Sequence, residues 1–206
     1  QTPIGEFEAT YAYQVNDRDE FDIIRGESSR PQFMFELRSH TVDMSLKHTP
    51  MVFGMASRLE GLAGVSGMLQ ENVYRGAPLL SDYRSLSAGV FALERLILGN
   101  VELEAGVRYD HEKRDAYIPK KTYQSLVREG RIDPEQCGLQ DNWSRCGSTF
   151  HAGTVSFGGL YRVSEETVAK LDLSSATRTP SIDEQYINGT SPSFPIMARG
   201  LASLGP

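Results

Sequence analysis

The sequence predicts an all-β fold: an antiparallel transmembrane β-barrel, of which this chain supplies about seven strands of a larger wall. Three observations predict it. Apolar and polar residues alternate with a period of two over long runs, the pattern of a strand whose two faces meet different surroundings. The runs are about 11–18 residues long, where soluble strands usually have five or six, and strands of that length cross a bilayer at a tilt. The connections sort into short turns and long polar loops that alternate along the chain, as in outer-membrane barrels.

The runs follow in order. In residues 6–16 one face reads Phe7, Ala9, Tyr11, Tyr13, Val15 and the other Glu6, Glu8, Thr10, Ala12, Gln14, Asn16. Residues 31–48 are less regular: Phe33, Phe35 and Leu37 share one parity, Val42, Met44 and Leu46 the other. A bulge near Ser39 to Thr41 explains such a switch, and so does a strand that passes from a lumen rim into the membrane band. Residues 59–73 read as extended, and residues 84–98 show an apolar face of Leu86, Ala88, Val90 and Ala92. In residues 100–110, Val101, Leu103, Ala105, Val107 and Tyr109 oppose Glu102, Glu104, Gly106, Arg108 and Asp110. A helix would place Val101 and Glu102 on overlapping arcs, whereas a strand separates them. Residues 150–163, with Val155, Phe157, Gly159 and Tyr161, and residues 166–178 complete the set. Tight turns are expected at residues 98–100 and 164–166, and long polar links at about 17–30, 74–83, 118–149 and 179–206; the link near 49–58 is intermediate.

Composition excludes other classes. Across 206 residues the apolar share is 39%, with nine Tyr, nine Phe and 19 Gly. No apolar run approaches the ~18 residues of a membrane helix, which leaves barrels untouched because their strands are apolar only at alternate positions. A mean hydropathy of −0.36 does not separate a soluble sandwich from a barrel. The net charge is −6 with scattered basic residues, so no nucleic-acid partner is expected. No leader peptide is visible at Gln1, and the chain starts and stops inside apparent structural elements, so a part of a longer protein is expected. Spanning strands must satisfy every backbone group through their neighbours, so the sheet must close. Seven strands leave two edges, and the remaining strands are expected from elsewhere in the parent polypeptide.

Several motifs, in their order along the chain, carry a resemblance. Residues 13–21 (Tyr-Gln-Val-Asn-Asp-Arg-Asp-Glu-Phe) look like a strand running into an outer loop. Residues 64–70 and 78–83 look like a following strand and loop, and residues 88–94 and 103–110, the latter ending Gly-Val-Arg-Tyr-Asp, like a further strand pair. Then comes Ala176-Thr177-Arg178-Thr179-Pro180-Ser181-Ile182-Asp183-Glu184-Gln185-Tyr186, preceded by a strand and followed by a long loop reaching Leu204-Gly205-Pro206. Together these resemble the barrel of TonB-dependent outer-membrane receptors, with an echo of the subgroup that takes up zinc and related metals. The resemblance implies about 22 strands in the whole barrel, a plug domain and terminal strands outside this chain, and location in the outer membrane of a Gram-negative bacterium. It also implies outer loops that capture a scarce nutrient (a metal ion or metal chelate), TonB as partner through the plug, and no cofactor.

Each chemistry-bearing residue has a structural role open to it beside a functional one. No Gly-x-Ser-x-Gly elbow, phosphate-binding glycine loop or His-Glu-x-x-His occurs, so no enzyme is expected. Asp110, His111, Glu112 and Asp115 offer hard and borderline ligands for zinc or a similar ion, the bland alternative being a solvated strand end. The cluster Asp17-Arg18-Asp19-Glu20 with Asp22 reads first as a hydrated loop, and His40 lies near Asp43. Arg178, Pro180 and Glu184 belong to the family motif, where a buried Arg178–Glu184 pair inside the wall would anchor the loop start. Tyr13, Tyr83, Tyr109 and Tyr161 suit interfacial girdles, or simply strand propensity. Cys137 and Cys146, nine positions apart, would close a disulfide in an oxidising compartment; the alternatives are two unrelated thiols or, with no His beside them, a less attractive zinc pair. The expected function is nutrient import across the outer membrane. Its rivals are a soluble all-β binding module and a non-transporting structural or adhesive barrel.

Overall fold

Alternation of this kind commits each strand to two unlike faces, and the structure, a computed structural model, shows both. It describes residues 4–21, 29–54, 56–77, 79–190 and 196–205. Strands β1 (Gly5–Glu20), β2 (Phe33–His48), β4 (Ser57–Gly76), β5 (Asp82–Leu98), β6 (Val101–Pro119), β8 (Trp143–Arg162) and β9 (Val168–Ala176) form one antiparallel meander in that order. Two short strands complete the sheet: β3 (Met51–Gly54) pairs with β4, and β7 (Cys137–Leu139) with β8. The sheet is not closed. All seven long runs read from the sequence are present, most of them longer than read. A strand of 20 residues such as β8 spans about 65 Å at ~3.3 Å per residue, so it rises beyond any bilayer.

The register sorts the side chains. Phe7, Leu46, Ala63, Ala92, Val107 and Val155 lie directly opposite one another across six strands, on one face. Glu8, Ser45, Gly64, Phe91, Arg108 and Thr154 form the next row, on the other face. The apolar row is open to its surroundings: Val107 is 55% and Val155 56% exposed. Val101, Leu103, Ala105 and Val107 take no part in the buried core. Buried apolar residues would belong to a soluble sandwich; an exposed apolar row across six strands belongs against lipid.

The pairing of β2 runs without a register shift against both β1 and β4. No bulge therefore causes its change of parity. Phe33, Phe35 and Leu37 face inward near the long-loop end, where the Phe35 ring lies 5.1 Å from Tyr74 and takes Arg18 over its face at 4.5 Å. Val42, Met44 and Leu46 face outward lower down. The intermediate link at 49–58 also resolves: β3 continues the line of β2 along β4, and the chain reverses between Gly54 and Ser57.

The true core sits at the long-loop end, on the inward face. Ala116, Ile118, Tyr123, Leu126, Ile132, Cys146, Tyr186 and Ala202 are buried together. Helix α1 (Lys120–Arg128), unanticipated within the 118–149 link, contributes Tyr123 and Leu126 from one side of its axis. A second short helix, α2 (Ile182–Tyr186), and a small hairpin of β10 (Asn188–Thr190) and β11 (Met197–Arg199) come from the segment after β9.

Candidate functional site

The inward face of β6 carries an unbroken polar series, Arg108, Asp110, Glu112, Arg114, because strand alternation sends every second residue the same way. Arg108 grips Asp110 through Nε and Nη2 at 2.7 and 2.5 Å and donates to Ser66 Oγ at 2.9 Å. Its guanidinium stands 5.7 Å from the Phe91 ring centroid. Gly89 makes the room: a Cβ there would come within 2.4 Å of Asp110 Oδ1 and 2.7 Å of Arg108 Nη2.

Higher up, Arg114 is 5% exposed and organises the site. It donates to Glu112 Oε1, at 3.1 Å from Nε and also from Nη2. Through Nη1 it reaches the Pro180 carbonyl at 2.9 Å and Gln185 Oε1 at 2.6 Å. Phe150 lies beneath it, 5.3 Å from ring centroid to guanidinium carbon. Glu112 accepts two further bonds, from Ser85 Oγ and Thr179 Oγ1, both 2.7 Å. Gln185 passes the connection on, donating to the Ala202 carbonyl at 3.1 Å. The segment after β9 is thus fastened onto the inside of the wall by satisfied, buried polar groups, the condition under which such groups do not cost stability.

Two more fastenings act on the same segment. Arg178 forks onto Glu184 at 2.7 and 2.6 Å, and Glu184 closes a capping box with Ser181, whose amide it accepts at 2.7 Å. The Arg178 bonds, then the Ser181 amide, hold the Glu184 carboxyl down at about 2. Burial pushes neighbouring Asp183 the other way, upward. Arg131 binds the Gly200 carbonyl at 3.0 and 2.8 Å, the Ile187 carbonyl at 3.2 Å and Asn188 Oδ1 at 2.9 Å. Gly200 must be glycine for this approach, since a Cβ would come 2.5 Å from the Gln185 carbonyl carbon.

The sequence-derived candidates fall as follows. Asp110 and Glu112 face inward, each held by an arginine. His111 faces the opposite way, its ring 4.9 Å from His151, which Tyr109 contacts at 2.5 Å from Oη to Nδ1. Asp115 also faces outward and takes Arg145 at 2.7 Å. Alternation therefore separates the four as a set, and among the described residues no three His, Cys, Asp or Glu gather to hold a metal ion. His40 faces outward beside Tyr11 and Tyr13, while Asp43 faces inward. Arg18 pairs with Glu20 at 2.9 Å, and Asp22 lies outside the described residues. Of the four tyrosines read as girdle residues, Tyr13, Tyr109 and Tyr161 face outward; Tyr83 faces inward, on the parity of Ser85 and Phe91. The Arg178–Glu184 pair forms as read, but its side chains are 72% and 40% exposed; the buried arginine–carboxylate pair of the wall is Arg114–Glu112. Pro180 is buried and lends its carbonyl to Arg114. Cys137 and Cys146, directly opposite in β7 and β8, are joined as a disulfide.

Long antiparallel strands, an apolar outward face, a polar inward face and a loop segment bound inside the wall define part of an outer-membrane β-barrel wall. The chain matches the family model "TonB dependent receptor-like, beta-barrel" over residues 6–205, and it belongs to that family. No curated protein and no solved structure matches it. The family places the chain in the outer membrane of Gram-negative bacteria, in TonB-coupled transport and not in enzymatic catalysis.

Proposed function

We propose that this chain forms wall and outer loops of a receptor that captures a metal ion or metal chelate outside the cell and imports it with energy delivered by the TonB complex through a plug domain. The observation that carries this reading is the segregation of the two faces together with the Arg114 anchorage. An apolar row from Phe7 to Val155 suits lipid, and a polar row through Arg108 suits a watery lumen. Arg114 then fixes an outer loop over that lumen in a defined conformation. A loop held in place presents its surface to a ligand without first losing conformational freedom. The motif echo of zinc and related metal receptors supports a metal as cargo.

The test is growth of a strain lacking the parent gene, alone and complemented, under zinc limitation and under iron limitation. A deficit in one medium that the gene repairs supports import of that metal or its chelate. Unimpaired growth under both limitations counts against it.

A further inference from the structure

On the outward face, His111 of β6 stands directly opposite His151 of β8. Val90 and Tyr109, one row below, still belong to the exposed apolar band, and Lys113 begins a charged zone one row above. The ladder fixes how close the two histidines come. The Arg162 amide donates to the Asn100 carbonyl at one end of this strand pair, and the Lys120 amide to the Asn142 carbonyl at the other, so the hydrogen-bonded pairs take the even positions of β6. The pair at position 111 is therefore a non-hydrogen-bonded one, the type whose side chains approach most closely. The two imidazole rings lie 4.9 Å apart, centroid to centroid. A metal ion bonded to two imidazole nitrogens at ~2.0–2.1 Å sets the ring centroids about 4.5–5.2 Å apart, for angles at the metal from square-planar to tetrahedral. The observed spacing falls inside that range.

Tyr109 supplies the support such a ligand needs. Its Oη lies 2.5 Å from His151 Nδ1, which leaves Nε2 as the ligating nitrogen. Histidine ligands are oriented in this way, by a partner on the other ring nitrogen. His40 gives the contrast: Tyr11 Oη contacts its Nδ1 at 2.8 Å on the same outward face, but Tyr13 and Leu69 stand opposite it instead of a second imidazole. On β6 and β8 the nearest outward carboxylate is Asp115, two rows above His111 and taken by Arg145 at 2.7 Å. The donor set is thus nitrogen alone, which suits Zn²⁺, Ni²⁺ or Cu²⁺ and not the oxygen-seeking Mg²⁺ or Ca²⁺.

We propose that His111 and His151 form a divalent transition-metal site on the outer surface of the wall, with the remaining coordination positions open to water. A metal held there clamps β6 to β8 where the two strands leave the apolar band. The site faces away from the lumen, so it stands apart from the import path and does not rest on the import reading.

The probe is copper(II) iminodiacetate, whose chelator leaves positions that two imidazoles complete. It is titrated into the detergent-solubilised full-length receptor and followed by electron paramagnetic resonance. The expected result is one saturable site whose copper couples to two imidazole nitrogens. His111→Gln and His151→Gln should each weaken binding by about tenfold or more, because a lone imidazole lacks the help of a second ligand already in place. His40→Gln removes a tyrosine-supported histidine with no imidazole opposite, and should bind within about twofold of wild type. Zn²⁺ in excess should compete for the site and Mg²⁺ should not. A second readout separates loss of the site from loss of fold: the copper chelate should raise the melting temperature of the wild type and of His40→Gln, and leave that of His111→Gln unchanged. Absent binding, a spectrum with one coupled nitrogen, or equal binding by the wild type and either His111→Gln or His151→Gln would overturn the proposal. So would a loss in His40→Gln as large as that in His111→Gln. None of these readouts involves uptake, so their failure is distinct from failure of the import reading, which the growth test addresses.

Discussion

The Arg114 guanidinium donates to the carbonyl of Pro180, 66 residues further along the chain, at 2.9 Å. That contact joins a spanning strand to the segment after β9, and it depends on Glu112 sharing the same cation. Replacing Arg114 by Met would leave Glu112 buried without its counter-charge. Breaking a buried pair from one side costs about 3–5 kcal/mol. The wall itself is held by backbone ladders, so the loss should fall on the segment and not on the sheet. Limited proteolysis of the Arg114→Met receptor in detergent should cut within residues 177–205, at sites protected in the wild type, while the sheet's circular dichroism is preserved. Equal protection in both would show that Arg114 does not anchor the segment.

The Arg178–Glu184 clamp gives a pH prediction. Glu184 titrates at about 2 in the folded chain, below the ordinary value of 4.5, because Arg178 and the Ser181 amide bind its charged form. A lowered carboxyl contributes stability that is complete above the ordinary range and is lost as pH falls through the folded value. The clamp should therefore hold at pH 3 and open on approach to pH 2. The carboxyl carbon resonance of Glu184, selectively labelled, should keep its ionised shift at pH 3. A midpoint near 4.5 would contradict the geometry.

The outward row yields a comparison of two faces. Val107 faces outward in the middle of the apolar band, whereas Ser174 on β9 faces inward, paired with Ser156. A cation at a lipid-facing midplane site costs about 2–4 kcal/mol, and one facing a watery lumen costs little. Val107→Arg should destabilise the folded receptor in lipid vesicles by that amount in a denaturant titration, and Ser174→Arg should fall within about 0.5 kcal/mol of wild type. Equal penalties would mean that the two faces do not meet different solvents.

Much of this arrangement was legible because strand parity is local. Val101, Leu103, Ala105 and Val107 announce their face within seven residues, and the motif around Arg178 and Glu184 places a fork that then forms. What escaped reading is non-local. Arg114 sits in plain view on the parity of Arg108, but its partners Pro180 and Gln185 come from another part of the chain, and only folding brings them together. Ala116 and Ile118 share that polar parity, and they are buried because a loop packs on them there. Helix α1 did leave a signal: Tyr123, Leu126 and Val127 fall at i, i+3 and i+4. It is nine residues long and follows directly on a strand, so the signal is weak. Parity also divides the four candidate ligands, since Asp110 and His111 are neighbours in sequence and point to opposite faces of a strand.

The inward row also contains a fit between Gly64 and Phe91. The Phe91 ring lies across Gly64, so that a Cβ there would stand 2.5 Å from the ring's Cζ and 2.5 Å from the Met44 carbonyl oxygen. Two different obstacles thus meet one methyl group. The ring can swing away, but the carbonyl belongs to the β2–β4 ladder and moves only with the strand. Gly64→Ala should therefore destabilise the receptor by about 1–3 kcal/mol, the usual range for overpacking. Phe91→Ala removes the ring and also strips Arg108 of its aromatic neighbour. In a double-mutant cycle the two substitutions should couple, with Phe91→Ala relieving part of the Gly64→Ala penalty and the Met44 contact retaining the rest. Full relief would mean that the ring alone excludes a side chain at position 64. Strict additivity would mean that the ring does not rest on the glycine at all.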